Sequence, residues 1–364
     1  REYVVQLTDK HPHSGDRIMR NLKSSADYYN RQQQTVGDFW RDSSERGLAA
    51  TLKDRLMWGD MRMMSSDIED VQGFTGLING KGPEQNWTGL FKPGERVRLR
   101  LINSSAMTYF DVRLPGLKMT VVQADGNNVQ PVTVDELRIG VAETYDVIVQ
   151  PKEDQAYTLF AESMGRSGFA RGTLAPREGM QGEIPALRPA PLLTMADMGM
   201  AHAGMDHGDM AGMDHSGMNH GDMAGMDHSG MNHGDITGMD HGNMNHGEAA
   251  ALPADPFYAE GSGLIPQAYN DGRFLSYADL RAQKPLYEDR EPTREIELRL
   301  TGNMERYIWA LDGIMFKDAP PVNIKPGERV RITLVNDTMM SHPMHLHGHT
   351  YRVTGSDGGR WPRG

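Results

Sequence analysis

The sequence predicts an all-β protein built as two antiparallel β-sandwiches in tandem, with a helical insert in the first. Three observations predict it. Segments such as RVRLRLIN, ELRIGV and TYDVIVQ alternate apolar and polar residues, which is the pattern of half-buried strands. Gly, Asn and Pro punctuate these strands at short intervals, as turns do in a sandwich. The later part of the chain also repeats the earlier part. KPGERVRLRLIN at 92–103 returns as KPGERVRITLVN at 325–336, and LINGK at 77–81 matches ALDGI at 310–314, both at an offset of 233 residues. A single K-P-G-E turn is common. Two of them, each trailing an Asn/Asp-Gly pair by the same distance, argue for two copies of one fold.

Taken in order, residues 1–178 form the first block. It opens on REYVVQL, a strand entered midway, and the chain stops at GGRWPRG just after another strand. The expectation is therefore an internal piece of a longer protein. Residues 16–64 have helical spacing: Ile18, Leu22 and Tyr29 recur near one face, and Leu48, Leu52 and Leu56 recur at i, i+4. Residues 179–253 read as a linker, with Pro185, Pro189 and Pro191 ahead of a Met/His tract, and 254–364 form the second block. A chain of 364 residues is long enough for two or three domains with sizeable cores.

Composition excludes several classes. There is no apolar run of membrane-spanning length and no signal-peptide pattern. The net charge of −11 is mostly local, because Met195 to Glu248 carries nine acidic residues and no Lys or Arg. Removing that tract leaves the rest near −2, with no basic patch of the kind a nucleic-acid partner needs. Zero cysteines exclude disulfides, thiolate ligands and cysteine nucleophiles within these residues. Phosphate-binding loops, dinucleotide fingerprints and G-x-S-x-G elbows are also absent.

The chemistry concentrates in SHPMHLHGHT at 341–350. In a strand, His345 and His347 share one face and Leu346 points the other way, into the sandwich. Two strand residues span roughly 6.6 Å, which suits two neighbouring ions taking one imidazole each. His342, just before Pro343, is placed for a third ion. Imidazole suits copper, zinc, iron and nickel, so spacing alone leaves the metal open. The 233-residue offset sets Tyr109, Val112 and Leu114 opposite His342, His345 and His347, so only the second copy carries the ligands. His349 reads as a supporting or packing residue. His11 and His13, in KHPH, read as structural or surface residues.

HPMHLHGH resembles the first histidine motif in the last domain of multicopper oxidases. DYYNRQQQTVGDFWRD, LKDRLMWGDMRM and the Met/His-rich linker are similar to the bacterial copper-resistance branch of that family. The resemblance covers nearly all the chain outside the variable linker. It implies that the two sandwiches are cupredoxin-like Greek-key domains, the second and most of the third of three. It also implies that His342 binds the type 1 copper, His345 the type 2 and His347 one of the type 3 pair. The family's N-terminal H-x-H motifs and its C-terminal H-C-H motif are absent from these residues, so this chain alone is not expected to carry electrons from type 1 copper to oxygen.

The tract at 204–248 contains a thirteen-residue repeat, GMDHSGMNHGDMA followed by GMDHSGMNHGDIT. Rich in Gly and Asp, without aromatics, it cannot bury a core and is expected to be disordered without a ligand. Thioethers favour Cu(I), and imidazole accepts Cu(I) or Cu(II). Met205, His207, Met210, Met213, His215, Met218, His220, Met223, Met226, His228, Met231, His233, Met239, His241, Met244 and His246 are therefore candidate copper ligands. Met57, Met61, Met63 and Met64 read as core packing. Met339, Met340 and Met344 read the same way, although they flank His342 where a cuprous substrate would be held.

The full-length protein is thus expected to be a periplasmic multicopper oxidase of copper resistance. It would oxidise Cu(I) or phenols and reduce O2 to water, with copper ions, O2 and other periplasmic copper-handling proteins as partners. The alternative is a non-enzymatic periplasmic copper store.

Overall fold

The structure, a computed structural model, describes residues 1–61, 63–198, 257–284, 288, 290–303, 307–338, 340–347, 351–354 and 360–361. The copper-ligand expectations for Met205 through His246, and the readings of His349 and Met339, lie outside the described residues.

Strand β1 (Glu2–Lys10) leads into three helices, α1 (Gly15–Ser24), α2 (Val36–Arg46) and α3 (Leu48–Asp60). Ten strands come next: β2 (Thr75–Ile78), β3 (Trp87–Leu90), β4 (Val97–Asn103), β5 (Phe110–Arg113), β6 (Met119–Ala124), β7 (Asn127–Val134), β8 (Glu136–Ile139), β9 (Thr144–Val149), β10 (Tyr157–Ser163) and β11 (Phe169–Ala175). They form two sheets, of order β2-β1-β4-β9-β6-β7 and β3-β11-β10-β5-β8. The alternation in RVRLRLIN is what lets β4 serve one of them. Val97, Leu99 and Leu101 are buried, while Arg98 and Arg100 point outward toward Asp146. Facing them from the second sheet are Phe110, Val112, Leu137, Ile139 and Leu159. Each fully buried Val or Leu contributes roughly 1.5–3 kcal/mol relative to exposure, and this sandwich holds the largest apolar core among the described residues.

The duplication is explicit in backbone and side chain. Later in the chain lie β12 (Arg294–Asn303), β13 (Ile308–Leu311), β14 (Ile314–Met315) and β15 (Val330–Asn336), in the order β14-β13-β12-β15. β1 pairs antiparallel with β2 and parallel with β4, and β12 pairs the same way with β13 and β15. Leu7 sits beside Asn103, as Leu300 sits beside Asn336. Both Asn79-Gly80 and Asp312-Gly313 take positive φ at both residues, the hairpin turn that Asn/Asp-Gly favours. Gln6 N–H donates to Asn79 Oδ1 at 2.8 Å, and Arg299 N–H to Asp312 Oδ1 at 2.8 Å. In the K-P-G-E turns, Glu95 Oε2 accepts from Lys92 N–H at 2.8 Å and Glu328 Oε2 from Lys325 N–H at 2.9 Å. The repeated residues are those whose side chains close turns. A last pair of short strands, β16 (Val353–Thr354) and β17 (Arg360–Trp361), lies beyond.

The insert is helical as its spacing predicts, in three pieces. Thr35 and Asp38 cap α2 reciprocally, and Gly47, at φ 88°, separates α2 from α3. Leu48, Leu52 and Leu56 face solvent, at 58, 48 and 59% exposed. The buried side of α3 is instead marked by Thr51 and Trp58. Residues 181–198 and 257–284 lie against the first sandwich. Arg188 reaches Glu162 at 2.7 Å and the carbonyl of Gln267 at 2.9 Å, Leu193 N–H donates to Ser65 O at 2.7 Å, and Leu275 and Leu280 join the core. Thr194 Oγ1 donates to Gly261 O at 2.8 Å, and Asp197 accepts from Gly263 N–H at 3.0 Å and from the Ser262 hydroxyl. These bonds pin the chain just before residue 199 to the chain just after residue 256.

Candidate metal centre

The scaffold that presents the histidines is an asparagine clamp at the end of β15. Asn336 Nδ2 donates to Met340 O at 2.7 Å, and its Oδ1 accepts from Thr338 N–H at 3.1 Å. Asn103 does the same at the end of β4, bonding Thr108 O at 2.8 Å and Ser105 N–H at 3.0 Å. Past the clamp the two copies diverge. In the first, the chain enters β5, which pairs with β8 and β10, and Val112 and Leu114 are fully buried. In the second, residues 341–346 form no strand. The strand expected for His345 and His347 is therefore not formed. The physical reason is that, among the described residues, no strand lies beside this segment to pair with it. Leu346, expected to point inward, is 39% exposed.

His345 and His347 nonetheless come together. Their ring centroids are 4.7 Å apart and nearly perpendicular, and both side chains are exposed. His342 is half-buried and turned elsewhere. Its Nε2 is 2.7 Å from Thr338 Oγ1, and its ring meets the edge of Trp309 at 5.1 Å. Burial pulls the His342 pKa below its ordinary value, favouring the neutral imidazole that a metal requires. Trp309 in turn packs on Tyr307 at 5.6 Å, whose hydroxyl donates to Asp70 Oδ2 at 2.6 Å. Neither Thr338 nor the Tyr307–Trp309 pair stood out in the sequence, because nothing in their spacing sets them apart from turn and strand residues.

Among the described residues, no three His, Asp or Glu side chains converge on one point. The arrangement is thus unlike a closed single-ion cage. His342 stands apart from an adjacent His345–His347 pair. A cavity of about 1080 Å³ runs alongside, with His342, Met344 and His345 on one wall and Tyr109, Arg138, Met164 and Leu264 on another. His11 and His13 pack on Tyr29 with centroids 5.1 and 5.8 Å from its ring, and Tyr29 shares a small apolar cluster with Tyr307 and Trp309.

The cavity wall rests on a buried ionic lattice. Asp111 loses hydration on burial, yet Arg138, Arg166 and Arg188 hold its carboxyl well below the usual range. Glu136 is pushed up, first by burial and then by the charge of Asp111. Arg113, 2% exposed, bridges Glu162 at 2.8 Å and Glu136 at 3.2 Å.

A β-sandwich without the histidines, followed by a second copy of its β2-β1-β4 arrangement that leads into them, defines a duplicated β-sheet class. Comparison with known proteins places it further. Two multicopper oxidase family models match, over residues 31–176 and 289–364. The chain is 53% identical over 366 residues to a copper resistance protein A homolog of Pseudomonas syringae pv. tomato, covering 96% of this chain and 61% of that one. It is 52% identical to copper resistance protein A of Escherichia coli, covering 96% of this chain and 62% of that one. A multicopper oxidase of Mycobacterium tuberculosis, MmcO, is 28% identical over 82% of this chain and 44% of its own. The chain belongs to the multicopper oxidase family, and its sandwiches are cupredoxin-like. It spans about three fifths of the length of the first two relatives.

Proposed function

We propose that this chain is part of a copper-resistance multicopper oxidase. Residues 1–178 are a cupredoxin-like domain without ligands, 179–253 a Met/His-rich connection, and 254–364 a cupredoxin-like domain that carries ligands. In this reading His342 holds the type 1 copper, His345 the type 2 and His347 one of the type 3 pair. Bound there, the copper centres would accept single electrons from a reducing substrate and pass them to O2, giving water. The substrate is Cu(I), with phenols as the second choice, and the site of action is the periplasm. The observation that carries the reading is the contrast between Tyr109, Val112 and Leu114 in one copy and His342, His345 and His347 in the other, on the same asparagine clamp.

The chain's own residues do the positioning. Thr338 and the Trp309 edge fix the imidazole of His342, and partial burial lowers its pKa, favouring the neutral form. The Met/His tract concentrates cuprous ion by soft thioether ligation. Within described residues, no helix is long and apolar enough to cross a membrane.

The test is copper analysis with visible and electron-paramagnetic spectroscopy on the full-length protein, alongside oxygen uptake with Cu(I) and with a phenol. A blue type 1 band and Cu(I)-dependent uptake, both lost in His342→Ala, are expected. A colourless copper-loaded protein that consumes no oxygen would overturn the reading in favour of copper storage.

A further inference from the structure

Three separate stretches of chain bring five methionines into one small cluster. Met61 and Met63 lie just past the end of α3, where Met63 N–H donates to Trp58 O at 3.1 Å. Met164 lies just past β10, its N–H bonded to Tyr109 O at 2.9 Å. Met195 and Met198 lie in the turn closed by Thr194 and Asp197, held to the insert by the bond from Leu193 N–H to Ser65 O. The remaining members are Trp58, Ile68, Tyr109, Leu193 and Leu264.

Methionine is a common core filler, so composition must decide whether this is only a core. Among the described residues, the large sandwich core has 28 buried members and a single methionine, Met119. This cluster has ten members, buried and half-buried, of which five are methionine. A core without special demands would use Leu and Ile, whose shapes specify packing better. Met61, Met195 and Met198 are also only half-buried, so the cluster reaches the surface. Met164, Tyr109 and Leu264 form one wall of the same cavity that His342 and Met344 line.

We propose that Met61, Met63, Met164, Met195 and Met198 supply a thioether binding site for a soft monovalent cation, cuprous ion in the protein's natural setting. Thioethers are neutral and soft. They select Cu(I) over hard cations and lose no proton on binding. Three rotatable bonds per side chain let the sulfurs reorient toward an ion. The site lies within the folded body, beside the point where the chain enters the Met/His tract, and it opens onto the histidine-lined cavity. It stands independently of the oxidase reading, because a thioether cluster binds or fails to bind cuprous ion whatever His342 does.

Trp58 gives the cluster its own reporter, since residues 199–256 contain no tryptophan. The whole chain is titrated with Ag(I), a redox-inert stand-in for Cu(I), and then with Cu(I) under anaerobic conditions. Tryptophan emission is monitored throughout, with Trp58→Phe identifying the contribution of that ring. The expected result is a quench of Trp58 emission that is lost in Met63→Leu/Met164→Leu, while binding elsewhere in the chain persists. Leucine keeps the volume, and unfolding midpoints without metal confirm that the variant folds. Methyl-13C methionine spectra of the unsubstituted chain read the same site directly, with the methyl signals of Met63 and Met164 shifting on Ag(I) addition. Unshifted signals, or a quench unchanged in the double variant, would overturn the proposal.

Discussion

Asp67→Asn should stabilise the protein at neutral pH and leave it almost unchanged in acid. Asp67 is 4% exposed, and its Oδ1 is buried without a hydrogen-bond partner among the described residues. Burial first, then the charges of Asp70 and Asp27, push its pKa from 3.8 up to about 7. A carboxyl whose folded pKa lies above its unfolded one binds more protons folded than unfolded. Stability is therefore greatest below the unfolded pKa of 3.8, falls as pH rises, and levels off above about 7. At about 1.4 kcal/mol per pH unit, that gap corresponds to a loss of about 4 kcal/mol. Asparagine carries no charge to desolvate and removes the loss. Urea unfolding of both proteins between pH about 4 and about 8, with the slope m checked for constancy, measures it. The midpoints should agree in acid and separate steadily toward neutrality, the variant standing higher. A wild-type midpoint that rises from acid to neutral pH in parallel with the variant's would refute the reasoning.

Three further substitutions probe other parts of the frame. Tyr307→Phe removes the hydroxyl that donates to Asp70 at 2.6 Å and should cost about 1–3 kcal/mol in unfolding experiments. Arg113→Met leaves the buried Glu136 and Glu162 short of a counter-charge, so a loss of about 3–5 kcal/mol is expected. Adding Glu162→Gln should recover part of that loss, measured as a double-mutant cycle. Gly263→Ala sets a Cβ 1.7 Å from Leu192 O, forcing the stem between 194–197 and 261–263 to open at a cost of about 1–3 kcal/mol. Hydrogen exchange should quicken at the Leu193 and Gly263 amides, while the β4 amides keep their protection.

The scaffold was more legible in the sequence than the site. Strand β4 announces itself because Val97, Leu99 and Leu101 alternate with Arg98 and Arg100, and only one face of that strand is buried. The duplication was visible because Asn79, Glu95 and Asn103 bond to backbone groups, as do Asp312, Glu328 and Asn336, which leaves few acceptable replacements. The helices were visible as periodicity, but which face they bury was not. Leu48, Leu52 and Leu56 make the better apolar stripe, yet Thr51 and Trp58 are the buried residues, because tertiary neighbours and not the helix decide that choice. The histidine motif was visible as residue types. Its conformation was not, since a strand depends on partners that no local pattern encodes. Trp309 and Thr338 reach His342 through folding alone.

The asparagine clamp explains how two copies can share a scaffold and differ beyond it. Asn103 and Asn336 satisfy the backbone at the end of β4 and β15 with their own side chains, so each strand end is set without help from residues further along the chain. Those further residues are then free to diverge. In the first copy they are Val112, wholly buried in β5 between β8 and β10, and Leu114, wholly buried just past the end of β5. An imidazole at such a position would lose its water and lack a partner, at a cost comparable to any unsatisfied buried polar group. In the second copy His345 and His347 stand at the matching offset in a segment that forms no strand, where both rings are exposed and keep their water. The two copies therefore share their fold up to the asparagine clamp and part after it, in conformation as well as in side chain.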